Sequence, residues 1–139
     1  MTARRDERGS AAIFVIGMSL VLMVCAGLVV DGGLAINARM RVADDAEQAA
    51  RVAADSIDVD LLRAGGGIVI NEPLARQRAA AYLARRGYGA GQYAIDVDGN
   101  QVSVDVDDTT QTTLLSLIDV DSYDVHASAT SVPETQEDP

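Results

Sequence analysis

The sequence is poor in the residues that disulfide frameworks and most metal or catalytic centres use: its 139 residues include one cysteine and one histidine. The lone Cys25 excludes an intrachain disulfide, and because it lies within a long apolar run we expect it to act as a small apolar side chain. The lone His126 leaves no Cys/His or Ser/His/Asp set for nucleophilic catalysis. We therefore expect a protein that is not an enzyme and that has no catalytic residue, no metal site and no cofactor.

Lysine and tryptophan are also absent, and phenylalanine occurs once. The core of any folded domain must then be built from Ala, Val, Ile, Leu and Tyr. From residue 31 onward, 19 acidic residues stand against 8 arginines, whereas the first nine residues carry three arginines and two acids. So acidic a chain lacks the cationic surface that displaces counterions from phosphate, and we expect no nucleic-acid partner.

One long uncharged run, residues 10–30, is the strongest signal in the sequence. As a helix that rises about 1.5 Å per residue, its 21 residues match a hydrocarbon core of roughly 30 Å. We predict a single transmembrane helix in a lipid bilayer. Three arginines precede the run, so the N-terminus is expected inside and the rest outside. The alternative, a cleaved secretory signal, has a shorter apolar core of about 7 to 15 residues.

A second helical pattern follows the run, with small residues every three or four positions and charged residues on the other faces. This helix-packing stripe consists of Ala35, Ala38, Val42, Ala46, Ala49 and Ala53. We predict an amphipathic stem helix over residues 31–58 that continues the membrane helix, with Gly32 and Gly33 as a candidate bend. A separate helix beginning at Asp31 is the alternative. The stripe fits packing against neighbouring subunits and packing against the chain's own sheet equally well.

The remaining chain predicts a small extracytoplasmic α+β head, residues 59–132, with one helix against an antiparallel sheet. Asn71 and Pro73 mark the start of the helix, and the cations before Gly87 mark its end. Residues 133–139 are predicted to be a disordered acidic tail, and residues 1–9 a basic cytoplasmic tail. The whole chain would then have the shape of a lollipop, a long helix that carries a small head.

Strict alternation of apolar and polar residues predicts the strands. A two-residue turn at Gly99 and Asn100 places the apolar residues of the hairpin on one face. The predicted pairs are Val97 with Val102, Ile95 with Val104 and Tyr93 with Val106. A last strand over residues 123–130 follows a short apolar piece, residues 114–118.

A cluster of acidic residues in the hairpin has nearly the spacing of a calcium loop. Asp96, Asp98, Asn100 and Asp107 occupy ligand-like positions, but Gln101 stands where such a loop needs glycine. The strand alternation explains the same residues as the solvated face of a hairpin.

Four features of the chain together are typical of one family. They are Arg8-Gly9 directly before the apolar helix, the membrane-exit motif Asp31-Gly32-Gly33 at the end of residues 27–33, the polar-alanine segment 39–54, and the strand-bearing segment 114–130. The chain thereby resembles the TadE/TadG-like proteins of Flp, or tight-adherence (Tad), pilus assembly. The resemblance implies a membrane-anchored accessory or minor pilin-like subunit of the bacterial inner membrane, without enzymatic activity. Its implied partners, reached through the transmembrane and stem helices, are other pilus-assembly or pilin-like subunits.

The resemblance also implies a candidate processing point between Gly9 and Ser10, because a membrane peptidase cuts pilin-type precursors after a glycine. The fifth residue beyond that cut is normally glutamate, but it is Phe14 in this chain. This departure favours the TadG-like branch over a fully processed pilin. The alternative function is a single-pass, membrane-anchored extracytoplasmic binding module for calcium or a peptide, unrelated to pili.

Overall fold

One uninterrupted helix dominates the structure, which is a computed structural model that describes residues 7–133. Helix α1 extends over Glu7–Ala54, and at about 1.5 Å per residue its 48 residues are about 72 Å long. It continues through Gly32 and Gly33, neither of which has a positive φ. The predicted continuation of the apolar helix into a stem is confirmed, and no separate helix begins at Asp31. The stem ends at Ala54 and not at residue 58 as predicted, because Ile57 pairs with Ile70 in an isolated β-bridge, which needs extended backbone.

The small head that follows α1 has the predicted α+β class. It contains helix α2 (Val59–Arg63), helix α3 (Glu72–Arg86), and strands β1 (Tyr93–Asp98), β2 (Gln101–Gln111) and β3 (Ser122–Ser131). The strands form one antiparallel sheet in the order β1-β2-β3. Residues 112–121, here called the β2–β3 connection, contain a 3-10 turn at Leu115–Ile118.

Local sequence signals explain the boundaries of α3. The Asn71 side chain accepts a hydrogen bond from the backbone N–H of Leu74 at 3.1 Å, which caps the first turn. Gly87 ends the helix with φ 100°, a left-handed conformation that glycine adopts without steric cost. Both ends lie where the sequence predicted them.

The predicted hairpin register is also confirmed. Val97 pairs with Val102, Ile95 with Val104 and Tyr93 with Val106. Gly99 takes φ 59° at the first turn position, which suits a two-residue hairpin turn. The three valines of β2 are fully buried.

The core lies between the C-terminal half of α1, the inner face of the sheet and α3. Small side chains on α1 allow the sheet to approach the helix closely. The buried members from α1 are Ala38, Val42, Ala46, Ala49, Ala50, Ala53 and Ala54. Of the predicted stripe, five residues are therefore buried inside the head, and only Ala35 is half-buried. Of the two uses that the sequence left open, the structure shows packing on the chain's own sheet.

Candidate membrane-exit and assembly site

The N-terminal half of α1 presents large apolar side chains to its surroundings. Among residues 7–133, α1 is the one helix that is long and apolar enough to cross a membrane, and only 6% of its most apolar stretch is buried. Phe14, for example, is 67% exposed and Val29 is 77% exposed. Side chains of this kind in such number are typical of a surface that lipid or other protein covers.

Asp31 lies where this exposed segment meets the head, and it is 2% exposed. Its carboxylate accepts hydrogen bonds from three successive backbone N–H groups of the β2–β3 connection. The donor–acceptor distances are 2.8 Å for Thr113, 2.9 Å for Leu114 and 2.6 Å for Leu115. Hydrogen bonds to a carboxylate are stronger than those between neutral groups. Asp31 therefore ties the connection to α1.

Gly27 lies one helical turn before Asp31 and completes the contact. It is buried, and a Cβ added to it would lie 3.3 Å from the Cβ of Leu114 and 3.4 Å from the Cδ2 of Leu115. The absence of a side chain at residue 27 thus lets the connection lie against the helix. Because residues four apart share a helix face, Gly27 and Asp31 together form the docking face for residues 113–115.

The other residues of the predicted exit motif have no such role in the described chain. A Cβ at Gly32 or at Gly33 would meet no heavy atom within 4 Å from any other part of the fold. Asp31 was predicted as part of the exit motif, whereas Gly27 was not predicted as a contact residue. Their spacing of four residues places both on one helix face, but no pattern in the sequence shows that the β2–β3 connection meets that face.

A second buried carboxylate joins α1 to the end of α3. Asp45 is 3% exposed, its Oδ1 accepts a hydrogen bond from Arg86 Nε at 2.6 Å, and its Oδ2 accepts one from the Tyr88 hydroxyl at 3.0 Å. Burial and the hydrogen bond to Asp45 raise the pKa of Tyr88 to about 12. The hydrogen bond and charge of Asp45 raise the pKa of Arg86 above its already high value.

A cavity of about 320 Å³ lies beside Asp45 and its two partners. Arg41 and Asp108 also line it. These two side chains pair across 3.5 Å. Arg86 and Tyr88 keep their protons at neutral pH, because both pKa values lie far above 7. The arrangement therefore suits a structural tie between α1, α3 and β2 better than proton transfer.

The acidic hairpin does not form the calcium loop whose spacing it resembles. Asp96 and Asp98 point outward from β1, and the Asn100 side chain donates a hydrogen bond to the backbone carbonyl of Ile68. Asp107 lies on β2, where its Oδ1 is 2.8 Å from Nδ1 of the exposed His126. In residues 9–133, no group of three or more His, Cys, Asp or Glu side chains is placed to share a metal ion.

Three predicted features lie at or beyond the ends of the described residues. Gly9 and Ser10 are exposed in the first turns of α1, which begins at Glu7. Most of the predicted basic tail, residues 1–6, and the acidic tail beyond Pro133 lie outside the described residues. Pro133 itself is buried.

The segment of α1 that contains the docking face matches a known protein family. The model of the family described as "Putative Flp pilus-assembly TadE/G-like" matches residues 9–56. No curated protein and no solved structure matches the chain. The predicted resemblance is confirmed over α1, and it supports involvement in Flp/Tad pilus assembly.

Proposed function

We propose that the protein is a non-enzymatic, membrane-anchored accessory or minor pilin-like subunit of a Flp/Tad pilus machine. The observation that carries this proposal is the division of α1, whose exposed apolar part lies within the family match and whose alanine-rich part is built into a small acidic head. The first part supplies the anchor, and the second fixes the head to it.

The charge distribution supports one orientation in the inner membrane. Arginines lie before the apolar run, and the head after it is strongly acidic. The positive-inside bias then retains the N-terminus in the cytoplasm and places the head on the outer side.

The polar contacts of the head support a structural role. Asp31 accepts hydrogen bonds from three backbone N–H groups, and Asp45 accepts them from Arg86 and Tyr88. Groups that are already saturated by partners within the fold have a stabilising role and are poorly suited to acid–base catalysis.

Neighbouring pilus subunits would contact the exposed face of the stem, because its alanine stripe is buried. Beyond Asp31, α1 exposes three large apolar side chains: Leu34 at 42%, Ile36 at 64% and Met40 at 61%. Ile36 and Met40 are four residues apart and share one helix face. A row of this kind on a helix is suited to packing against a second helix.

A topology experiment tests the anchor and its orientation. Alkaline phosphatase fused after Pro139 is expected to be active, and a fluorescent protein that matures only in the cytoplasm is expected to be dark at the same position. The full-length product should remain in the membrane pellet after alkaline carbonate extraction. Release into the supernatant, or the reverse reporter pattern, would contradict the proposed anchor.

A crosslinking experiment in the host bacterium tests the assembly role. A photo-reactive amino acid at Ile36 or Met40 is expected to capture a pilus-assembly or pilin-like subunit, whereas the same amino acid at Ser128 on the outer sheet face is the control. Deletion of the gene should reduce surface pili, and the wild-type gene should restore them. Unchanged pili in the deletion strain would refute the pilus function.

A further inference from the structure

We propose that the β2–β3 connection is a second membrane contact, in which Leu117 and Ile118 enter the outer leaflet beside α1. The inference rests on the proposed membrane anchor and adds a lipid-binding surface on the head. Leu117 is 66% exposed and Ile118 is 49% exposed. Both belong to the 3-10 turn, and residues 112–118 carry no charge.

The position of the turn along α1 places it at membrane depth. Leu117 and Ile118 line a small apolar groove of about 90 Å³ together with Leu20, Met23 and Val24 of the uncharged run. Side chains that share a groove lie at nearly the same height along the helix. A bilayer that surrounds α1 at residues 20–24 therefore also meets the tip of the connection.

The backbone of the connection is suited to a medium of low polarity, where an unpaired N–H or C=O group is costly. Three of its N–H groups bond to Asp31. Four more N–H groups donate hydrogen bonds to backbone carbonyls within the connection. The donors are the N–H groups of Thr112, Leu117, Asp119 and Val120. The hydroxyl groups of Thr112 and Ser116 also donate to carbonyls of the connection. By pairing three backbone N–H groups, Asp31 thus lowers the cost of placing the turn in lipid.

If the turn enters the leaflet, the hydrocarbon boundary lies closer to the N-terminus of α1 than the end of the uncharged run. Asp31 lies eleven residues beyond Leu20, which corresponds to about 16 Å of helix. If the turn enters the leaflet by roughly 5 to 10 Å, as interfacial helices do, the boundary falls near Ala26. Residues 10–26 then span the hydrocarbon, and their length of about 25 Å suffices for a transmembrane helix. Asp31 and its hydrogen bonds lie just outside.

The charge of the connection indicates which lipid surface it meets. Asp119 and Asp121 flank the apolar turn, and residues 112–121 contain no cation. Attraction to anionic headgroups is therefore excluded as the driving force, and burial of apolar area remains. We expect the turn to enter zwitterionic phosphatidylcholine bilayers, and its insertion fixes the height and rotation of the head.

The absence of tryptophan from the chain makes a depth measurement direct. Full-length protein carrying a single tryptophan is reconstituted in phosphatidylcholine vesicles with or without bromine atoms on the acyl chains, which quench tryptophan on contact. The test variants are Leu117→Trp and Ile118→Trp. Phe14→Trp reports the membrane segment, and Ser128→Trp reports the outer face of the sheet.

We expect brominated lipid to quench Phe14→Trp and at least one of the two turn variants, Leu117→Trp and Ile118→Trp. The fluorescence of Ser128→Trp should be unaffected. We expect the turn variants and Phe14→Trp to lose similar fractions of their fluorescence, because Phe14 lies about 6 Å inside one hydrocarbon boundary and the turn roughly 5 to 10 Å inside the other. Circular dichroism on each variant verifies that the head is folded, and Ile118→Trp replaces Leu117→Trp if only the latter unfolds.

Three other outcomes overturn the inference in distinguishable ways. If Phe14→Trp is quenched and both turn variants are not, the anchor stands and the second contact is wrong. A turn variant with blue-shifted emission and no quenching would show that protein, such as a second copy, covers the turn. If Phe14→Trp is not quenched either, the proposed membrane function fails as well.

Discussion

The two halves of α1 have the same secondary structure and opposite surroundings. In residues 10–30, large side chains such as Phe14 and Leu20 are 67% and 61% exposed. In residues 38–54, alanines such as Ala46 and Ala49 are completely buried. Large apolar side chains make the first half a surface for lipid, whereas small ones let a sheet approach the second half. Side-chain size, more than hydrophobicity alone, thus distinguishes the anchor from the core.

The largest effect is expected where the buried half is overpacked. Ala46→Leu adds three carbon atoms to a fully buried position, and we expect it to lower the free energy of unfolding of the head by about 3 kcal/mol. Ala43→Leu, on the exposed face of the same half, is the matched control and should change it by less than about 0.5 kcal/mol. Thermal or denaturant unfolding in detergent measures both. Equal effects would show that the two faces are not distinguished by packing.

The next largest effect is expected at the junction of the two halves. Asp31→Ala removes the acceptor of three N–H groups and should lower the melting temperature of the head by roughly 5 to 10 °C. Hydrogen exchange should accelerate at Thr113, Leu114 and Leu115, which lose their partner. Asp44→Ala removes an exposed carboxylate from the same helix and serves as the control. Unchanged protection of the three amides would disprove the tie.

A smaller effect is expected from the buried polar contact of the second half. Tyr88→Phe removes the hydrogen bond to Asp45 and should cost about 1 kcal/mol. Tyr88 has a pKa near 10.0 when unfolded and about 12 in the fold. Its contribution is therefore complete below pH 10 and is lost as the pH rises toward 12, because the unfolded chain releases the proton first.

The pH dependence of this contact is measured by unfolding at a series of alkaline pH values. The wild type should lose stability between pH 10 and 12 more steeply than Tyr88→Phe. Tyr123→Phe is the matched control. Identical pH profiles for wild type and Tyr88→Phe would contradict the assigned contact.

The smallest effect is expected from a pair of glycines on either side of the junction. Gly33→Ala meets open space and should stabilise the helix by about 0.5 kcal/mol, because alanine has the higher helix propensity. Gly27→Ala places a methyl group 3.3 Å from Leu114 Cβ, so that the helix gain is offset by displacement of the connection. We expect Gly27→Ala to be less stable than Gly33→Ala by about 1 kcal/mol in thermal unfolding. The opposite order would indicate a loosely docked connection.

Features that depend on neighbouring residues were predictable from the sequence. The cap at Asn71, the end at Gly87 and the register of the hairpin follow from short patterns whose physical causes are local. The short helix α2 was missed, although Asp58 caps it by accepting hydrogen bonds from two backbone N–H groups, those of Asp60 and Leu61. Five residues give too little periodicity to separate such a helix from a loop.

Contacts between distant parts of the chain were not predictable. The bond between Asp31 and Thr113 joins residues 82 positions apart, and no local pattern indicates which backbone groups a carboxylate will meet. The alanine stripe likewise fits a neighbouring subunit or the chain's own sheet, because small side chains suit either surface. Only the fold shows that the sheet occupies it.

The continuity of α1 has a mechanical consequence. Because α1 is one uninterrupted helix that packs against the sheet, a displacement of its apolar end along the helix axis also moves the head. Raising α1 by a single turn lifts the head by about 5.4 Å. If the turn at Leu117 enters the bilayer as proposed, withdrawal of the apolar part would extract the turn at the same time, and the hydration of both apolar surfaces would oppose it.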